Sequence, residues 1–150
     1  MAEIIETYQA EETHALGRKL GVQAQPGQVI TLNGDLGVGK TVLAQGLAEG
    51  LGITEAVVSP TFTILQVYEE GRLPLYHFDV YRIEDPEEMY EVGFEEYLYG
   101  QGVCLVEWAE RVEEMLPQER ISVTIEKDPA KGFSYRKITI DHRNAEEIGS

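Results

Sequence analysis

Apolar residues recur along the chain with two spacings, one typical of strands and one typical of helices. Short β-branched or alternating runs predict strands, and apolar residues three or four positions apart predict helices. The predicted strands cover residues 4–8, 28–33, 61–69, 73–79, 103–106, 121–126 and 136–140. The predicted helices cover residues 10–22, 40–51 and 109–116, and another opens with Asp85 at its N-cap and Pro86 in its first turn. Residues from Arg143 onward are expected to form a frayed tail.

The order of these segments predicts the fold class. Strands alternate with helices, which favours an α/β domain with a partly parallel sheet. Residues 103–106 form a continuous apolar run, and residues 28–33 form a short segment with the β-branched residues Val29, Ile30 and Thr31. Both are typical of buried strands. The last two predicted strands alternate between apolar and polar residues, and Glu70-Gly71-Arg72 predicts a hairpin. We therefore expect antiparallel strands at the flanks of the sheet, and one domain over residues 1–150.

A glycine-rich segment separates the strand at 28–33 from the helix at 40–51. Its sequence, Gly34-Asp35-Leu36-Gly37-Val38-Gly39-Lys40-Thr41, matches the phosphate-loop pattern at every fixed position. Glycines let backbone N–H groups approach a phosphate closely, and the helix N-terminus adds a partial positive charge. Lys40 supplies a full positive charge, and the Thr41 hydroxyl is an oxygen ligand of the kind that Mg²⁺ prefers. The segment predicts a site for a nucleoside triphosphate and Mg²⁺.

Two acidic residues follow apolar strand runs. Asp79 ends the run Leu75–Phe78, and Glu107 ends the run at 103–106. Ligands of open α/β sheets bind at the carboxyl edge of the strands, so either carboxylate is a candidate for the metal site. Thr61, in Ser59-Pro60-Thr61, belongs either to a loop that senses the γ-phosphate or to an ordinary strand-entry turn. His77 is interpreted as a packing or hydrogen-bonding residue.

The net charge narrows the range of partners. With 12 basic and 27 acidic residues, the chain carries a formal charge of −15, which argues against direct binding of nucleic acid or an anionic membrane. Residues 84–120 contain twelve acids but only two bases, Arg111 and Arg120. This stretch is either a docking face for partner proteins or a solvated helical face. Cys104 is the single cysteine and the N-terminus lacks the pattern of a secretion signal, so we expect a cytoplasmic protein.

Three other functions share the phosphate loop. A stand-alone small-molecule kinase needs positive groups around the transferring phosphoryl group, whereas the acidic stretch at 84–120 supplies almost none. A small GTPase needs an Asn-Lys-x-Asp segment, and the only asparagines are Asn33 and Asn144. A nucleotide-dependent binding module with negligible turnover stays open. The kinase is the main alternative from another class.

Four segments together resemble the motif series of the bacterial TsaE family, in order and in spacing. They are Gly34–Thr41, Ser59-Pro60-Thr61-Phe62-Thr63, His77-Phe78-Asp79-Val80-Tyr81-Arg82 and Leu105-Val106-Glu107-Trp108. Thr13 and Leu16-Gly17 also resemble the N-terminal pattern of that family. The resemblance runs from about residue 10 to residue 125, and the last 25 residues add no motif.

The resemblance implies a small ATPase required for making threonylcarbamoyladenosine (t6A), a modified adenosine beside the anticodon of tRNA. It implies a P-loop NTPase-like three-layer α/β domain, with a central parallel sheet flanked by antiparallel strands. The implied partners are the proteins TsaB and TsaD, of which TsaD is the transferase, and tRNA is reached only indirectly. The implied cofactor is Mg²⁺, with ATP as the substrate.

The resemblance also assigns roles to individual residues. The nucleotide-binding residues would be Leu36, Gly37, Val38, Gly39, Lys40, Thr41, Val42 and Trp108. Thr41 and Glu107 resemble the Mg²⁺ ligands, and Asp79 with Lys40 resembles the catalytic pair. Whether Asp79 or Glu107 contacts the metal directly stays open. Thr61 resembles a residue near the nucleotide or the partner surface.

Overall fold

A computed structural model describes residues 2–34, 38–57 and 64–143 of the chain. Within these residues seven strands form one mixed sheet, in the order β1-β7-β6-β2-β5-β4-β3. The strands are β1 (Ala2–Thr7), β2 (Val29–Asn33), β3 (Leu65–Tyr68), β4 (Leu75–Asp79), β5 (Val103–Glu107), β6 (Arg120–Lys127) and β7 (Arg136–Arg143). The expected α/β class and mixed sheet are confirmed.

The parallel strands lie in the middle of the sheet. Strand β2 pairs in parallel with β5 and β6, and β5 pairs in parallel with β4. The flanking pairs β1–β7, β6–β7 and β3–β4 are antiparallel. Parallel strands need both faces covered, and all five residues of β5 are buried. The apolar runs in the sequence therefore identify the centre of the sheet correctly.

The helices pack in two groups against the two faces of the sheet. Helices α1 (Ala10–Gln23) and α2 (Lys40–Gly50) bury their leucines in one core cluster, whereas α3 (Glu88–Glu91) and α4 (Phe94–Leu98) bury Met89 and Phe94 in the other. Short 3₁₀ segments cover Ala109–Met115 and Pro129–Lys131. None of the helices in the described residues is long and apolar enough to span a membrane.

The region after Asp85 differs from its prediction. The predicted N-cap, Asp85, instead closes a turn in which its Oδ1 accepts the N–H of Glu87, and helix α3 begins only at Glu88. Gly93, with φ of 75°, then separates α3 from α4. The two short helices replace one continuous helix because glycine readily adopts this left-handed backbone conformation. The predicted helix at 109–116 is likewise a 3₁₀ segment, kinked at Val112.

Two other strands differ from their predictions at their ends. The last strand is longer than expected, since β7 extends to Arg143. Of the predicted strand at 61–69, the structure shows β3 at Leu65–Tyr68, and residues 61–63 lie outside the described part of the chain. The predicted frayed tail after Arg143 also lies outside it.

Helices α1 and α2 cross at a close contact made by glycines. A Cβ added to Gly17 would lie 2.3 Å from the backbone oxygen of Leu43, and one added to Gly46 would lie 2.1 Å from that of His14. Real Cβ atoms do not approach backbone atoms so closely. The two backbones can touch because these positions carry no side chain.

We expect Gly46→Ala to destabilise the protein. Alanine is favoured over glycine in a helix by about 1 kcal/mol, but forcing the backbones apart costs about 1–3 kcal/mol or more, and the 2.1 Å contact puts the cost at the upper end. A lower thermal midpoint and a lower free energy of unfolding in urea would show this. Lys19→Ala is the matched control, because Lys19 is exposed on α1. An unchanged unfolding midpoint for Gly46→Ala would contradict the close crossing.

Candidate functional site

The two acidic residues predicted from the strand ends lie side by side. Asp79 is the last residue of β4, Glu107 is the last residue of β5, and the two are paired across the parallel ladder. Side chains alternate along a strand, so both carboxylates lie on the sheet face that carries Leu75 and Leu105. Helix α2 packs on that same face and begins at Lys40. The fold thus brings together three residues from distant parts of the sequence.

Glu107 lies at the centre of this site. Its Oε1 is 3.8 Å from the Lys40 Nζ, and its Oε2 is 2.6 Å from the His77 Nε2. Lys40, His77 and Glu107 are all buried, and His77 has no exposed surface. A buried charge needs a partner of opposite sign and hydrogen bonds, and Glu107 obtains both here. His77, interpreted from the sequence as a packing or hydrogen-bonding residue, therefore hydrogen-bonds a predicted metal ligand.

Asp79 has a different environment from Glu107. It is half-buried, and its Oδ1 accepts a hydrogen bond from the N–H of Tyr81 at 3.0 Å. Burial raises the pKa of the Asp79 carboxyl above its ordinary value. The negative charge of Glu107 raises this pKa further, while the Tyr81 N–H and Lys40 oppose the increase. Burial therefore disfavours the charged form of Asp79 relative to a solvent-exposed aspartate.

This shift predicts that Asp79→Asn stabilises the metal-free and nucleotide-free protein at pH 7. A pKa raised by folding means that ionised Asp79 costs stability above its folded-state pKa. The advantage of asparagine should shrink as the pH falls, because protonated Asp79 carries no charge. Thermal midpoints measured between pH 7 and pH 4.5 in EDTA test this.

Asp128→Asn is the matched control for this experiment. Asp128 accepts the N–H of Ala130 through its Oδ1, in the same local geometry as Asp79 with Tyr81, but in an exposed turn. Its substitution should leave the thermal midpoint nearly unchanged over the same pH range. A midpoint for Asp79→Asn below that of the wild type at pH 7 would contradict the prediction.

Trp108 packs between charged and aromatic groups next to Glu107. The Lys40 Nζ lies 4.3 Å from the centre of the indole ring, and the ring of Tyr81 packs at 4.8 Å. The Arg111 guanidinium in turn lies 5.3 Å from the centre of the Tyr81 ring. Trp108 adopts φ of 61°, which is rare for a bulky residue. This turn after β5 places the indole against Lys40, as a cation–π pair.

Arg136 was not identified from the sequence, yet it contacts the glycine-rich segment. Its Nε donates to the Val38 carbonyl at 2.7 Å, and its Nη1 donates to the carbonyls of Phe133 and Tyr135. Residue 136 begins β7, about 100 positions from Val38. The bond ties the start of β7 to the loop that precedes α2. No local pattern around an arginine at the start of a strand indicates such a contact.

The remaining predicted nucleotide residues are only partly described. Gly39 precedes α2 with φ of 105°, and Thr41 and Val42 occupy the first turn of that helix. Val38, Gly39 and Val42 line a cleft of about 360 Å³ together with Phe133. Leu36, Gly37 and Thr61 lie outside the described residues. The structure thus brings Lys40, Asp79, Glu107 and Trp108 together, with Thr41 and Val42 at the start of the same helix.

Part of the acidic stretch at 84–120 is used within the fold. The Glu88 carboxylate accepts the backbone N–H groups of Glu84 and Asp85. Asp85, Glu87, Glu95 and other residues, including the exposed Tyr90 and Tyr99, line a cleft of about 460 Å³. Glu88 therefore supports the local turn, Glu113 pairs with Arg120, and Asp85, Glu87 and Glu95 contribute to a polar cleft.

Comparison with known proteins identifies relatives along most of the chain. The family model "Threonylcarbamoyl adenosine biosynthesis protein TsaE" matches residues 7–138. The tRNA threonylcarbamoyladenosine biosynthesis protein TsaE of Bacillus subtilis is 54% identical over 133 residues, covering 89% of this chain and 81% of that protein. The TsaE protein of Treponema pallidum is 46% identical over 116 residues, covering 77% of this chain and 85% of that protein.

A solved structure extends the similarity to the fold. The crystal structure of Bacillus subtilis YdiB superposes with a TM-score of 0.83 at 45% sequence identity, covering 99% of this chain and 90% of that one. The family match includes all four motifs from which the resemblance was first inferred. The chain therefore belongs to the TsaE family of threonylcarbamoyl adenosine biosynthesis proteins.

Proposed function

We propose that this protein is a Mg²⁺-dependent ATP-binding and ATP-hydrolysing accessory protein for t6A modification of tRNA, acting on the TsaB–TsaD complex. The observation that carries the proposal is the meeting of Lys40, Glu107 and Asp79 at one edge of the parallel strands. Each parallel strand ends there, which is where open α/β sheets bind ligands. The sheet order and the strand–loop–helix unit from β2 to α2 support a P-loop NTPase-like domain.

The phosphate groups would bind at the start of α2. Gly39 has a backbone conformation that favours glycine, and no atom of the described residues lies within 4 Å of where its Cβ would be. This leaves room for an anion beside the first backbone N–H groups of the helix, which carry partial positive charge. Lys40 adds a full charge at the same place. Because the net charge of the chain is −15, these local groups must offset the general repulsion of a nucleotide.

The side chains around Glu107 have the chemistry of a Mg²⁺ site. Glu107 and Asp79 offer carboxylate oxygens, and Thr41 offers a hydroxyl in the first turn of α2. Mg²⁺ prefers such hard oxygen ligands and is often bound by one or two protein groups together with phosphates and water. The metal, when bound, would offset negative charge on the phosphates. We propose Thr41 and Glu107 as its ligands.

The chain's own residues would then perform three tasks during hydrolysis. Lys40 would hold the phosphates and stabilise charge that develops on them. Asp79, half-buried and oriented by the Tyr81 N–H, would orient the attacking water. The cleft beside Val42, lined also by Thr13 and Phe133, is apolar enough to accept the base. Thr61 would sense the γ-phosphate.

The proposed partners follow from family membership and from charge. The curated relatives are tRNA t6A biosynthesis proteins, and a chain of charge −15 is a poor ligand for tRNA by itself. We therefore propose that tRNA is reached only through TsaB and TsaD. Hydrolysis by the isolated chain would be slow, and the partner complex would complete the site.

The decisive experiment is hydrolysis of Mg-ATP by the full chain with and without TsaB–TsaD. We expect slow turnover alone, a clear stimulation by the complex, and t6A formation on tRNA that depends on this chain. Direct tRNA binding by the chain should be weak and salt-sensitive. An ATP turnover rate that TsaB–TsaD does not change, or phosphorylation of a small molecule, would contradict the proposal.

A further inference from the structure

His77 is a fully buried polar residue beside Leu75 and Leu105 on one face of the sheet. Along β4, residues 75, 77 and 79 point to the face of the sheet that α1 and α2 cover, since side chains alternate and Leu75 belongs to that core. His77 pairs with Leu105 in the ladder and is fully buried. Burying a polar ring costs free energy unless it is hydrogen-bonded. The partner of this ring should therefore explain why a histidine stands here.

The ring makes one short polar contact within the described residues. Its Nε2 is 2.6 Å from Glu107 Oε2, and its Nδ1 has no hydrogen-bond partner in the part of the chain that is described. An ionised Glu107 oxygen only accepts hydrogen bonds, so this contact requires an N–H on the Nε2 of the ring. His77 therefore acts as a donor to Glu107, and its one satisfied nitrogen is the one that faces the candidate site.

The contact distinguishes the two oxygens of Glu107. Oε2 accepts the bond from His77, whereas Oε1 lies 3.8 Å from the Lys40 Nζ, beyond ordinary hydrogen-bond distance. Lys40 therefore attracts the carboxylate without fixing its rotation, and His77 fixes it. In metal sites, groups that hydrogen-bond a ligating carboxylate set its orientation.

We propose that His77 is a positioning residue that holds Glu107 so that Oε1 faces the cation. This inference rests on the proposed Mg-nucleotide function and adds a residue to it. Loss of such a supporting bond typically lowers metal affinity roughly 10–100-fold. A donor of similar reach at position 77 should restore the affinity, which a merely structural role for the ring does not predict.

The experiment measures metal affinity rather than turnover. The full chain is saturated with ADP and titrated with Mg²⁺, with the fluorescence of Trp108, the only tryptophan, as the signal. The variants are His77→Gln, which keeps an N–H donor, and His77→Met and His77→Leu, which have none. Cys104→Ala is the matched control, because Cys104 is a buried residue of β5 on the opposite face. ADP affinity in EDTA is measured for every variant by calorimetry.

We expect His77→Met and His77→Leu to weaken Mg²⁺ binding by at least tenfold, while His77→Gln stays within about threefold of the wild type. ADP affinity in EDTA should be alike for all. Two results would overturn this inference but leave the proposed function standing. One is a wild-type Mg²⁺ affinity in His77→Met, and the other is an equal loss of Mg²⁺ affinity in His77→Met and His77→Gln. If the ADP affinity of the wild-type chain is the same with and without Mg²⁺, the proposed function is overturned, and this inference with it. If His77→Leu does not fold, the Met–Gln comparison still decides.

Discussion

Lys40→Ala is expected to abolish measurable ATP binding. Lys40 is the first residue of α2 and lies 3.8 Å from Glu107 at the carboxyl edge of the sheet. Hydrogen bonds to charged groups each contribute about 1.5–3 kcal/mol, so the loss of two such bonds to phosphate lowers affinity by about 100-fold or more. Isothermal titration with Mg-ATP measures the effect.

Lys131→Ala is the matched control, since it removes the same charge from an exposed lysine paired with Glu6. It should bind ATP as the wild type does. Because Lys40→Ala leaves Glu107 buried without its cation, thermal unfolding must show that the variant is folded at the assay temperature. A folded Lys40→Ala protein with wild-type affinity would refute the assignment of the phosphate site.

Asp79→Asn should retain ATP binding and lose hydrolysis. Asparagine keeps the shape of aspartate and can still accept the Tyr81 N–H, but it cannot act as a base or carry a negative charge. A positioned acid–base group contributes about 10²–10⁴-fold to rate, and we expect a loss in this range. Single-turnover hydrolysis in the presence of TsaB–TsaD separates this loss from binding.

The control for this prediction is again Asp128→Asn, whose turn lies in the 3₁₀ segment before β7. It should hydrolyse ATP at the wild-type rate. If Asp79→Asn turns over as fast as the wild type with TsaB–TsaD, Asp79 has no part in the chemical step. A loss of affinity equal to the loss of rate would instead mark Asp79 as a binding residue.

The centre of the fold could be predicted because its signals are local. An apolar run followed by an acid located the ends of β4 and β5, and the glycine-rich segment located the start of α2. Parallel pairing then places those ends at one edge of the sheet. The sequence predicted Asp79 and Glu107 each at the carboxyl end of a strand, and the ladder shows in addition that the two residues pair directly.

The parts that could not be predicted depend on contacts between distant residues. His77 finds its partner 30 positions away on the neighbouring strand, and Arg136 finds Val38 across 98 positions. The alternation Leu75-His77-Asp79 did contain a signal, since a polar ring on an apolar face needs a buried partner. For Arg136 no comparable signal exists. The break between α3 and α4 depends on one glycine, Gly93. An isolated glycine can lie within a helix or end it, so the sequence alone does not predict the break.

The glycine contact between α1 and α2 has a consequence for how a nucleotide signal would travel. At Gly17 and Gly46 the backbones of the two helices touch without a side chain between them. We therefore expect a displacement of Lys40 at the start of α2 to shift α1 as well. The outer face of α1, which includes the exposed Glu11 and Lys19, would then report the state of the phosphate site to whatever binds there.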